Sequence, residues 1–176
     1  PVGNLVQGAD GALYGVGSPA TAITGGVIYR TTLDGSDVRT LYQLKPEDAL
    51  SPAGGLVLAS DGLLYGTTKF GQAGQIDGAG SIFRIAAAGT GFQIIHRFAP
   101  VTAANQDLNP INTNGAYPEA ELVEGADGYL YGVAPAGGPN GTGTIFKIAR
   151  DGTDFQLLYS FAAVTSSSTS GLTVTV

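Results

Sequence analysis

The chain has 176 residues, with 28 Gly and 9 Pro but no Cys, Met or Trp, a length that suits one ordinary domain with a real core. The absence of Cys excludes a disulfide framework, a thiolate zinc site, an iron–sulfur cluster and a cysteine nucleophile, and the single His96 excludes a site needing two imidazoles. A net charge of −6 and a pI near 4.4 argue against nucleic acid as a partner, because phosphate-backbone binding needs clustered Lys and Arg.

In chain order, the first recognisable segment is Leu5-Val6, followed by Asp10-Gly11 and then Leu13-Tyr14-Gly15. The same spacing returns at Leu56-Val57, Asp61-Gly62 and Leu64-Tyr65-Gly66, and again at Leu122-Val123, Asp127-Gly128 and Leu130-Tyr131-Gly132. A second block follows each time: Ile28-Tyr29-Arg30, Ile82-Phe83-Arg84 and Ile145-Phe146-Lys147. Behind each stands a turn glycine (Gly35, Gly89, Gly152), then apolar residues at Val38, Phe92 and Phe155 and at Leu44, Phe98 and Phe161. Fixed offsets in three copies identify a tandem repeat.

Each copy reads as four short strands. Asp-Gly supplies the positive-φ positions of a tight hairpin turn between the first two. The third strand, for example Thr144 to Ile148, turns at Asp151-Gly152 into the fourth, Phe155 to Phe161. Alternation along Phe83-Arg84-Ile85 and Phe146-Lys147-Ile148 fits half-buried strands, and no stretch holds a helical period for three turns. A repeated four-stranded antiparallel meander is the signature of β-propeller blades. Glycines at strand ends are expected to let neighbouring blades approach near the axis. The expected fold is therefore all-β and propeller-like: blade 1 over 1–44, blade 2 over 45–98, an insertion loop over 99–116 and blade 3 over 117–161. Residues 162–176 form a Ser/Thr linker and an extra C-terminal strand. Within that strand, Leu172, Thr173, Val174, Thr175 and Val176 alternate as an assembly strand would, adding to a sheet edge of the same or a neighbouring ring.

The motif Pro118, Leu122, Asp127-Gly128, Leu130-Tyr131-Gly132, Gly143 and Ile145-Phe146-Lys147, with its second copy from Ser51 to Phe98, resembles the bacterial repeat called GloVer, found in tandem in choice-of-anchor surface proteins. The resemblance covers nearly everything to Phe161. It implies a secreted, surface-anchored, propeller-type protein with no catalytic motif. Propellers close with four or more blades, and three are present, so a longer chain, a ring completed by a second copy, or an open fibre all remain open.

Few residues offer chemistry. The Asp-Gly aspartates Asp10, Asp34, Asp61, Asp127 and Asp151 read as turn residues, and no metal or cofactor is expected. Tyr14, Tyr29, Tyr65, Phe83, Tyr131 and Phe146 recur at blade-equivalent positions and read as inter-blade core. The adjacent Arg30, Arg84 and Lys147 are expected to pair with acids across strands or blades. His96, equivalent to Tyr42 and Tyr159, reads as a packing or surface residue. Glu119, Glu121 and Glu124 read as a solvated strand edge rather than a two-carboxylate hydrolase site. The irregular loop Val101 to Ala116 carries Asn105, Gln106, Asp107, Asn109, Asn112 and Asn114, whose amides suit sugar hydroxyls and form the candidate ligand-binding set. Asn140-Gly141-Thr142 matches a glycosylation acceptor.

These features point to a non-enzymatic structural or adhesive repeat protein that self-assembles into a ring or fibre by blade stacking and C-terminal strand addition. A glycan-binding module using the 101–116 loop is the first alternative, and a polysaccharide lyase or hydrolase the second. No apolar run is long enough to span a bilayer. The missing initiator Met and the low charge suggest export after removal of a signal peptide, hence an extracellular or cell-surface location in a bacterium.

Overall fold

A computed structural model describes residues 1–18, 25–45, 47–48, 50–71, 78–101, 103–104 and 109–162. The C-terminal strand expected at 172–176, and Asn105, Gln106 and Asp107, lie outside them.

Three four-stranded antiparallel meanders follow one another along the chain, each hydrogen-bonded in sequence order. Blade 1 comprises β1 (Val2–Gln7), β2 (Leu13–Gly17), β3 (Val27–Thr31) and β4 (Val38–Gln43). Blade 2 comprises β5 (Leu50–Leu58), β6 (Leu63–Phe70), β7 (Ser81–Ala86) and β8 (Gln93–Arg97). The insertion carries a hairpin of β9 (Ala103–Ala104) and β10 (Pro110–Ile111). Blade 3 comprises β11 (Val123–Glu124), β12 (Tyr129–Ala134), β13 (Thr144–Ala149) and β14 (Gln156–Ser160). No helix among the described residues is long and apolar enough to cross a membrane.

The turn after the first strand differs from the expected one. Gly11, Gly62 and Gly128 take positive φ of 77, 79 and 78°, while the preceding aspartates do not. Gly62 N–H donates to Ala59 O and Ala59 N–H to Leu63 O, the pattern of a three-residue loop with a type I turn and a bulge glycine rather than a two-residue hairpin. Asp serves by its side chain instead: Asp61 Oδ1 accepts from Leu63 N–H at 3.0 Å. The glycine that ends Leu-Tyr-Gly also has a local role. A Cβ on Gly66 would stand 2.5 Å from the Phe83 ring of its own blade and 3.0 Å from Leu56, so this position makes room for the aromatic residue one strand on.

The core lies between blades. One buried cluster joins Tyr14, Val16, Ile28 and Leu44 of blade 1 to Leu56, Leu64, Phe83 and Ile85 of blade 2. The other joins Tyr65, Ile82 and Phe98 of blade 2 to Leu122, Leu130, Phe146 and Ile148 of blade 3. Each sheet buries both faces only where it has a neighbour on both sides, which is blade 2. The physics of period-two alternation thus turns a repeat into a stack.

Candidate functional site

With no cluster of three or more metal-ligating side chains among the described residues, the features that stand out are the seams between blades and the two end faces that no described residue covers. Each built seam has an aromatic outer layer. Tyr42 of β4 stacks on Phe92 of blade 2 with ring centroids 4.2 Å apart. At the equivalent place His96 of β8 stacks on Phe155 of blade 3 at 4.1 Å and meets Phe98 edge-on at 5.1 Å. Burial holds the His96 imidazole down at about 4, so it is neutral near pH 7, and Asn114 Nδ2 lies 3.3 Å from its Nε2. Each seam also receives the outer turn of the following blade. A Cβ on Gly89 would stand 2.8 Å from Leu41 O and 3.3 Å from Leu41 Cβ, and one on Gly152 3.1 Å from Ile95 Cβ.

The end faces repeat these positions without the partner. On blade 1, Leu5 is 49% exposed where its counterpart Leu56 is 0%, Val38 is 65% exposed, and a Cβ on Gly35 would meet none of the described residues within 4 Å. On blade 3, Phe161 is 43% exposed against 3% for Phe98, Leu158 is 46% and Tyr159 43% exposed, and Val133 is 42% exposed against 0% for Val16. Covering a side chain of this size fully is worth roughly 1.5–3 kcal/mol.

The six aromatics expected at blade faces divide accordingly. Tyr14, Tyr65, Phe83 and Phe146 are buried, whereas Tyr29 on the outer side of blade 1 and Tyr131 on the outer side of blade 3 are half-buried. The tyrosines are tied to the turn aspartates: Tyr14, Tyr65 and Tyr131 donate to Asp10, Asp61 and Asp127 at 2.9, 2.7 and 2.8 Å. Burial first, and the Asp61 bond second, push the Tyr65 hydroxyl up to about 12. Tyr42 is also raised to about 12, by burial and then by its bond to Asp48 at 2.7 Å.

The basic residues behave differently in each blade. Arg30 pairs with Asp10 at 3.2 Å. Arg84 donates to Gln93 Oε1 at 2.8 and 3.2 Å and to Arg150 O at 3.3 Å. Lys147 lies 4.3 Å from the centre of the Tyr129 ring. The glutamates serve three separate contacts: Glu119 with Lys69, Glu121 with Asn4, and Glu124 with Ser60 and Arg150. The last, a network that closes the blade 2–blade 3 seam, escapes sequence reasoning because Arg150 has no basic counterpart in the other copies.

In the insertion, Asn112 is 7% exposed. Its Nδ2 donates to Ala99 O and Gly115 O at 2.7 and 2.6 Å, and its Oδ1 accepts from the N–H groups of Gly115 and Gly138 at 2.9 and 2.8 Å. Asn114 Oδ1 accepts from Ala99 N–H at 2.8 Å. Both amides hold backbone together. Asn109 immediately precedes β10 and has interactions of its own. Asn140 Nδ2 donates to Phe161 O at 2.9 Å.

The Gloeobacter/Verrucomicrobia repeat matches residues 1–109. No curated protein matches the sequence. Among solved structures, one from a nidogen/laminin complex is similar over 89% of this chain and 48% of its own, at 18% identity and a TM-score of 0.54. A protein of unknown function from Dyadobacter fermentans is similar over 94% of this chain and 54% of its own, at 11% identity and a TM-score of 0.53. The chain spans about half the length of these structures. At such identities the likeness is one of fold, and it is to propeller-like proteins.

Proposed function

The chain belongs to the Gloeobacter/Verrucomicrobia repeat family, and we propose that it is a non-enzymatic structural or adhesive module of the bacterial cell exterior that assembles by continuing its own blade stack. The observation that carries this reading is the pair of unmatched end faces. The turn glycines Gly89 and Gly152 press on Leu41 and Ile95 of the blade before them, while a Cβ on Gly35 would meet none of the described residues and Leu158 is exposed. The blade 1 face of one copy offers what the blade 3 face of another lacks, so the contact is heterologous and generates a ring or a filament. A structural role is supported by the carboxylates, which serve turns and seams rather than converge.

Sedimentation velocity across a concentration series tests this. The reading expects species heavier than the 17.7 kDa chain, growing with concentration, and an Phe161→Glu variant that stays small. A single 17.7 kDa species up to about 100 µM, where an interface of standard size holds together, contradicts it.

A further inference from the structure

We propose that the cleft at the turn end of the blade 1–blade 2 seam binds a small organic anion with an apolar body, such as an aromatic carboxylate or sulfonate. The cleft encloses about 680 Å³ and is lined by Ala9, Asp10, Arg30, Arg39, Leu58 and Ala87 among others, a size that suits a small-molecule ligand.

Two independent features lead to it. The first is a missing plug. At the equivalent end of the blade 2–blade 3 seam, Arg150 Nη1 donates to Ser60 Oγ at 2.7 Å and to Glu124 Oε1 at 3.1 Å. Glu124 in turn accepts from Ser60 N–H and Oγ at 2.7 and 2.8 Å. In the repeat, Ala87 stands for Arg150, Leu58 for Glu124 and Ala9 for Ser60. Three polar, space-filling residues become three apolar ones, and all three line the cleft. The seam is left open with an apolar floor that includes Leu41 and Ala88.

The second is a like-charge pair. Arg30 on β3 lies directly across from Arg39 on β4, where blade 2 sets Arg84 against Gln93 and blade 3 sets Lys147 against Gln156. Like charges directly opposite are destabilising, and only in blade 1 is a cation placed there. Both arginines line the cleft. Asp10 takes Nε and Nη2 of Arg30 at 3.3 and 3.2 Å, and Asp37 takes Nε of Arg39 at 2.9 Å. Each guanidinium has five donors, so both retain N–H groups for an incoming anion. Asp10 is already engaged by Ala12 N–H, Tyr14 and Arg30, which disfavours a cationic ligand. An anion between the arginines relieves their repulsion while its apolar part covers Leu41, Leu58 and Ala87.

The test is amide NMR of the full chain with 1-naphthalenesulfonate and, as the neutral analogue, 1-naphthalenemethanol. The sulfonate is expected to give saturable shifts at Gly8, Ala9, Leu41, Gly62, Ala87 and Ala88. Arg39→Gln, which installs the residue of the other two blades, is expected to weaken the sulfonate about tenfold or more and leave the alcohol unchanged. The triple variant Ala9→Ser, Leu58→Glu, Ala87→Arg rebuilds the plug and is expected to abolish both. If that variant does not fold, the Arg39→Gln comparison decides alone. Absence of saturable shifts at these amides up to millimolar probe, or equal sulfonate affinity in Arg39→Gln, overturns the proposal. Its failure leaves the end-face assembly reading untouched, because neither Gly35 nor Leu158 takes part.

Discussion

Tyr65 donates its hydroxyl proton to Asp61 at 2.7 Å, four residues back across a turn that the same carboxylate stabilises by accepting from Leu63 N–H. Burial of the ring and capture of the turn are one event, which explains why Asp-Gly-x-Leu-Tyr-Gly recurs as a unit. The Tyr65 side is buried against blade 3, whereas Tyr131 faces the open end. Tyr65→Phe leaves Asp61 without this donor and is expected to cost about 1–2 kcal/mol in urea unfolding, and Tyr131→Phe about half of that. Equal losses would show that burial by the next blade contributes nothing to the bond.

Burial, helped by a bond of this kind, sets an alkaline limit. The hydroxyls of Tyr42 and Tyr65 are raised to about 12 from an ordinary 10. A group whose folded value is raised contributes stability that is complete below the unfolded value and lost as pH rises through the folded one. Stability is therefore expected to fall between pH 10 and about 12. Absorbance at 295 nm should show tyrosinate forming as late as pH 12 in the folded protein, with a smaller late step in Tyr65→Phe.

His96 sets an acid slope of opposite sense. Its imidazole sits at about 4 against an ordinary 6.5, through burial. Protonation thus favours the unfolded chain, and stability is complete above pH 6.5, declines as pH falls towards 4 and levels below. The loss is at most about 3 kcal/mol. Among the described residues the ring stacks on Phe155, meets Phe98 edge-on and lies beside Asn114. In His96→Tyr, which carries the residue of the other two blades, the difference between pH 7 and pH 4.5 is expected to shrink by about 2 kcal/mol, most of that loss.

The turn glycines separate backbone strain from seam packing. Gly35 has φ +71° and Gly152 φ +91°, so alanine is strained at both, by about 1 kcal/mol. Only at Gly152 does the new Cβ also run into the Ile95 backbone. Gly152→Ala is expected to lower stability by about 1–2 kcal/mol more than Gly35→Ala in urea titration at low protein concentration, while Gly35→Ala weakens assembly in sedimentation.

The blades were legible because their determinants are local: Asp61, Leu63 and Tyr65 act within five residues, and Phe83 returns over Gly66 within one hairpin. The turn type was not, since Asp-Gly serves both a two-residue hairpin and a bulged three-residue loop, and only Gly62 takes positive φ. Of the basic residues expected to pair with acids, Arg30 makes a close ion pair with Asp10; Arg84 donates to Gln93 and attracts Asp151 through space, and Lys147 lies by the Tyr129 ring and attracts Asp127 and Asp154. The seam network of Arg150, Glu124 and Ser60 joins residues 26 to 90 positions apart and breaks the repeat, so periodicity hides it. Asn112 reads in sequence as an adaptable loop amide, yet its bonds to Ala99, Gly115 and Gly138 depend on a chain path that the insertion's composition does not specify.

In the proposed assembly one copy's blade 1 face seats on another's blade 3 face as Gly152 seats on Ile95. At both built seams the turn glycine would place a Cβ 3.1–3.3 Å from the Cβ opposite, close to the span of about 3.5–4.5 Å that a disulfide bridges. The chain has no Cys, so Gly35→Cys with Leu158→Cys introduces the only thiols. On mild oxidation this double variant is expected to form covalent dimers and higher species between copies, reversible by reductant. Each single variant gives at most a dimer. If the double variant still sediments as species heavier than the 17.7 kDa chain but forms no reductant-sensitive link on oxidation, blade stacking through these faces is wrong.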